Sequence, residues 1–235
     1  LTEDSRTSHW GWLAAGAAGV VAPAVAVLQF DAMTLPAHSG AILAAGLMGM
    51  GMIAAAVAAR VGVGVALALL AGMGLIALAH AMGMAPIAHP WSTALALVIA
   101  SVSFAARGTL FTRAHPRHGW IIAVLVVSGE AATLLTASVL PAWLLVLLPA
   151  QWASAALQAA IAGGGTRDAA AVLVALAGTA TTTLLVARLL PRRWPYALMF
   201  TVWLALSALV ARHPVPTMDR TPFPLPSSRS DQGLP

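Results

Sequence analysis

Seven of the nine methionines fall between Met33 and Met84, in the same stretch as His38, His80 and His89. Thioether and imidazole are ligands that soft Cu(I) prefers. His80 and Met84 stand four residues apart, a spacing that puts both on one helix face. His38, His80, Met82, Met84 and His89 therefore form a candidate metal cluster, flanked by Asp31 and Met33. Met48, Met50, Met52 and Met73 lie deeper in apolar segments and extend the thioethers inward. His38 and His80 on adjacent helices are also the pair that would hold a haem b iron. A dihaem arrangement is disfavoured, because no apolar segment carries two histidines. Against all of this stands plain packing, for which methionine is a flexible gap filler.

Met48-x-x-x-Met52 is similar to the methionine ladder of the eukaryotic-type copper transporters. The likeness covers these five residues and not their three-helix architecture.

Glu130 carries the second signal. It is the acid placed deep within an apolar segment, and an intramembrane carboxylate is by default a site. No basic residue is expected at its depth. Gln151, Ser154 and Gln158 recur at i, i+3 and i+7 and share a helix face. With Ser101, Ser103, Thr179, Thr181, Thr182 and Thr183 they would border a polar cavity where Glu130 exchanges a proton or binds a cation. The competing account has each hydroxyl bonded back to its own helix.

The elements that position these residues follow from composition. Hydrophobic residues make up 60% of the 235-residue chain and charged residues 8%, with a mean hydropathy of +0.89. A soluble domain carries about 25% charged residues, so lipid must be the solvent of this exterior. The expected fold is an all-α, polytopic transmembrane bundle of about eight spanning helices, seven being the alternative. The segments lie near 10–30, 38–59, 61–85, 91–106, 120–140, 142–162, 169–190 and 194–211. Trp10, Trp12, Trp91, Trp120, Trp143 and Trp194 fall near segment starts, as headgroup-level indoles do. Pro23 and Pro149 are expected to kink their helices. A polar tail (1–9) precedes one four-helix half (10–106), a basic loop (107–119) joins it to a second (120–211), and a proline-rich arm (212–235) follows. The two halves show no convincing internal repeat.

Arginine placement sets orientation. Eight crossings with both termini cytoplasmic put Arg6, Arg60, Arg107, Arg113, Arg117, Arg167, Arg212, Arg220 and Arg229 inside, leaving Arg188, Arg192 and Arg193 outside. If one segment fails to span, the Thr-rich seventh being the first candidate, every later crossing reverses.

Absences narrow the function. Without lysine there is no retinal Schiff base, and without cysteine there are no disulfides, thiolate sites or c-type haem. The net charge of +5 comes from arginines at helix ends and in the tail, matching lipid headgroups rather than nucleic acid. Residues 2–9 are polar and mixed in charge, unlike a cleaved signal peptide. There is no phosphate loop with its lysine, no His-Glu-x-x-His and no Gly-x-Ser-x-Gly. Gly163-Gly164-Gly165-Thr166-Arg167-Asp168 reads as a loop into a helix whose positive end Asp168 faces. The basic loop at His115-Pro116-Arg117-His118 reads as a topology determinant.

The leading expectation is an accessory or assembly subunit of a larger membrane complex, contacting a protein partner through the proline-rich arm. The alternative is a small permease or copper-handling protein using the Met/His cluster or Glu130. A membrane haem or quinone protein, or an enzyme on lipid, comes last because no acid–base pair is visible. The arginine-for-lysine bias suggests a GC-rich genome, hence a bacterial cytoplasmic membrane.

Overall fold

The computed structural model describes residues 3–31, 33–137, 139–162, 165–189 and 194–212. Among them there is no strand. The helices are α1 (Glu3–Gly16), a π-helical turn (Ala17–Val21), α2 (Ala22–Gln29), α3 (Leu35–Ala58), α4 (Val61–Ala81) and α5 (Pro90–Ala114). They continue as α6 (Gly119–Leu135), α7 (Ala142–Val146), α8 (Pro149–Ala162), α9 (Gly165–Leu189) and α10 (Trp194–Arg212). Five stretches are long and apolar enough to cross a membrane: His9–Gln29, α3, α4, α5 and α9. The protein is an all-α bundle of membrane type.

Pro23 shapes the first span. It has no N–H to give the carbonyl of Gly19, so the preceding turn widens to π geometry while the helix continues. The same turn brings backbones together. A Cβ on Gly49 would lie 2.6 Å from the Ala18 carbonyl oxygen, so only glycine permits that approach. α3 is the central post, with 72% of its apolar window buried against 28% for α4. It packs on α1, α4, α5, α6 and α8, and Leu47, Met48, Met52 and Ile53 lie wholly inside. Trp10, near the start of the apolar stretch His9–Gln29, and Trp91, near the start of α5, stay exposed, as a headgroup belt requires. The least marked boundary in the sequence is sharp: α3 ends at Ala58, Ala59 turns left-handed at φ 52°, and α4 begins at Val61.

Helix directions follow from specific contacts. The Thr112 hydroxyl donates to the Ala56 carbonyl at 2.6 Å, so α3 and α5 end together. Arg113 Nη1 donates to the Ala187 carbonyl at 2.6 Å, and Gly165 lies against His89. α9 is therefore parallel to α5, starting at the His89 end and finishing at the Arg113 end. α6 starts at the Arg113 end, where Gly119 lies against Phe111 and Thr112. α8 rises toward the His89 end, because Ala150 stands beside Glu130 while Gln158 reaches Pro36 at the start of α3.

These directions correct the eight-crossing expectation. Residues 142–162 do not span. The segment breaks at Leu147 and Leu148 ahead of Pro149, and α8 continues in the direction of α6. α6 and α8 rise about 26 Å and 21 Å respectively at 1.5 Å per residue, overlapping at Glu130. Together they run the depth of the bundle in two offset pieces. The described helices thus run along the bundle seven times in alternating directions, five of these stretches being long and apolar enough to cross a membrane, and Arg212 ends at the face opposite Trp10. The failing segment is the sixth rather than the Thr-rich seventh. The fourth segment also runs beyond Ala106 to Ala114, leaving only residues 115–118 as the loop. From residue 213 the proline-rich arm lies outside the described residues.

Candidate functional site

Glu130 sits about three turns into α6, at the level where α8 begins. Its Oε1 accepts from Arg107 Nη1 at 2.8 Å and its Oε2 accepts from the Ala150 backbone N–H at 3.1 Å. The side chains of Arg107 and Glu130 are 14% and 11% exposed. One carboxylate therefore pairs with a guanidinium and serves the Ala150 N–H, the first-turn donor of α8 that the Leu148 carbonyl, which takes the Gln151 and Trp152 N–H groups, does not satisfy. This overturns the expectation of a carboxylate without a basic neighbour. Arg107, expected in the 107–119 loop, lies about two turns inside α5, and its long side chain extends to Glu130.

The Arg107 guanidinium is held by more than the carboxylate. It lies 4.8 Å above the Phe104 ring, a cation–π contact from one turn earlier on the same helix. Phe104 is wholly buried, so the ring is a fixed platform. Among the described residues, Arg107 Nε and Nη2 are buried with no acceptor.

Irregular backbone at this depth must have its polar groups satisfied by protein. Trp152 Nε1 donates to the Val146 carbonyl at 2.7 Å, tying α7 to α8. Gln151 Nε2 donates to the Thr133 carbonyl at 3.1 Å, tying α8 to α6. Trp152 is buried although it marks no segment start, because its indole closes the break.

The other expected polar residues do not join Glu130. Gln158 lies further along α8, with Oε1 accepting from the Gly40 N–H at 2.9 Å and Nε2 donating to the Pro36 carbonyl at 2.7 Å. Its amide thus bridges two groups that a helix normally joins directly. Gly40 has no Cβ, which would stand 2.5 Å from the Ser154 carbonyl oxygen, so Ser154 meets α3 through its backbone. Replacing Gln158 with alanine is expected to destabilise the protein by about 1–3 kcal/mol by removing the acceptor of the Gly40 N–H, while the Pro36 carbonyl keeps the Ser39 hydroxyl at 2.9 Å. The check is the thermal unfolding midpoint in detergent. Thr181 and Thr182 bond back to their own helix, at Ala177 and Gly178. Thr179 meets Ser103 at 3.3 Å.

The Met/His residues lie at one end of the bundle, each with its own neighbours. The His38 ring stacks on Phe30 with centroids 4.5 Å apart, and His80 Nδ1 lies 3.0 Å from the Ile76 carbonyl of its own helix. Met84 is buried among Val27, Leu35, Ile42 and Ala79, Met82 is exposed, and His89 packs beside Gly165. Met48 and Met52 are core residues of α3, whereas Met73 is 63% exposed on α4 and stands off that line. Among the described residues, no three His, Asp or Glu side chains gather to hold a metal ion. At the same end, Asp31 accepts from the Thr34 hydroxyl at 2.5 Å and its N–H at 2.8 Å, which holds its carboxyl below the usual range.

The chain matches no protein-family model, no curated protein and no solved structure.

Proposed function

We propose that the chain is a small permease of the membrane in which it is embedded, with Arg107, Glu130 and the first turn of α8 as its coupling site. The observation that carries this reading is an ion pair placed where a crossing is interrupted at mid-depth. Apolar helices pack through small residues and need no such pair. Charges at this depth are expensive and mark ion or proton routes far more often than scaffolding. Half-helices whose N-termini begin near mid-membrane are also how secondary transporters build their sites. The arginine-for-lysine bias favours a bacterial cytoplasmic membrane.

A second reading rests on the six prolines of residues 212–235. In it the chain is an accessory subunit held to a larger complex by that arm.

Purified protein in sealed vesicles loaded with a pH-sensitive dye tests the first reading. Wild type is expected to dissipate an imposed proton gradient faster than protein-free vesicles do. Glu130→Gln, checked by gel filtration to be folded, is expected to fall to the protein-free level. Wild-type flux no greater than that of empty vesicles, or flux indifferent to Glu130→Gln, overturns the permease. Co-purification with a defined assembly that is lost on deleting residues 217–235 would establish the accessory role instead.

A further inference from the structure

The Glu130 carboxylate occupies a place whose other walls all favour a negative charge. Arg107 supplies a full positive charge on one side. The start of α8 supplies the equivalent of roughly half a charge on the other, with the Ala150 N–H directed onto Oε2. Phe104 and the surrounding apolar helices keep the local dielectric low, which strengthens both.

Two features show that the carboxylate does not use every donor of this place. A guanidinium and a carboxylate usually join through two parallel hydrogen bonds. Here Oε1 takes a single bond from Nη1 while Oε2 turns away to the Ala150 N–H. In addition, Arg107 Nε and Nη2 are buried without an acceptor among the described residues. Buried donors left unpaired are costly, and they mark a place where a further acceptor would be stabilised. The site therefore has more donor capacity than its tethered anion uses.

We infer that the junction of α5, α6 and α8 is a binding site for a small monovalent anion, such as chloride or formate, which the Glu130 carboxylate occupies as a tethered competitor. This rests on the permease reading and names its substrate class. One negative charge is what one arginine and one helix terminus can hold without excess. When Glu130 is neutral or swings aside, a free anion takes its contacts with Arg107 and the α8 N-terminus. Carboxylate and anion then exclude one another, which would couple anion entry to a change of state at Glu130.

The test is the melting temperature of detergent-purified protein titrated with sodium chloride or sodium formate, with sodium gluconate holding ionic strength constant. Wild type at neutral pH is expected to be insensitive. Glu130→Gln, which removes the tethered charge and keeps the side-chain volume, is expected to rise by roughly 5–10 °C at saturating chloride or formate. Gluconate, too large for the junction, should leave it unchanged, and Glu130→Gln combined with Arg107→Met should lose the response. If Glu130→Gln aggregates in gluconate, recovery of a monodisperse gel-filtration peak in chloride or formate is the equivalent positive result. A Glu130→Gln protein that responds no more than wild type, or is not recovered by either anion, overturns the inference. Anion binding without vesicle flux would keep the site and remove the permease. Proton flux without any anion response would do the reverse.

Discussion

Replacing Arg107 with methionine is expected to lower the unfolding free energy by about 3–5 kcal/mol, the loss usual when one member of a buried ion pair is removed. The reason lies in what stays behind. Glu130 would keep only the Ala150 N–H as a partner, at a depth where water cannot replace the guanidinium. The reciprocal Glu130→Leu is expected to be comparably damaging, because it strands a guanidinium that already has two unpaired nitrogens and also uncaps α8. The double variant Arg107→Met with Glu130→Leu should be more stable than either single one, since no lone charge remains and similar apolar volume fills the space. Chemical or thermal unfolding of the four proteins in one detergent measures this cycle. Strict additivity of the two single losses would show that the pair is not coupled. The double variant has a further use. If it folds yet carries no proton flux, the pair works in transport rather than in holding the bundle.

The sequence announced its solvent and most of its helices plainly, because each crossing must close its own backbone bonds and so must be a long apolar run. Glu130 was visible for the same reason, as a charge where none should be. Its partner is hidden in the sequence. A charged residue after an apolar run reads as the end of a crossing, yet α5 continues through Arg107 to Ala114. A charge that a neighbouring charge offsets does not end a crossing, and hydropathy along one chain cannot register that offset. The break before Pro149 was hidden differently. Leu144, Leu145, Val146, Leu147 and Leu148 are as apolar as any helix centre, and hydropathy reports burial in lipid rather than direction of travel. The available signals were Pro141 and Pro149 bracketing too few residues for a crossing, with Gln151 and Trp152 just beyond them. The methionines are the opposite case: their clustering is plain in the sequence, and Met48, Met52 and Met84 lie buried in the interior, where a gap filler and a ligand give the same pattern.

Single cysteines at Thr166 and Arg117 are expected to react with a membrane-impermeant maleimide from opposite sides of a sealed vesicle. The absence of cysteine from the chain makes such labels unambiguous. Both positions are exposed at helix connections, Thr166 in the first turn of α9 at the His89 end and Arg117 between α5 and α6 at the other. Eight crossings would place them on the same side, so the experiment separates the two topologies outright. Charge favours opposite sides. With α9 parallel to α5, Arg188 joins Arg60, Arg113 and Arg117 at one end, and Arg192 and Arg193 follow it in the sequence. Arg188, which an eight-pass arrangement leaves outside, thereby becomes part of the positive face, which makes the Arg113 end the expected cytoplasmic one. Arg167 and Arg212 are left at the far end, where the N-terminal dipole of α9 also welcomes Asp168. The site depends on the same geometry, because α8 presents its N-terminus to Glu130 only if it rises beside α6. Labelling of both cysteines from one side would restore a full crossing at residues 142–162 and separate Ala150 from Glu130, and the mid-membrane junction would have to be abandoned.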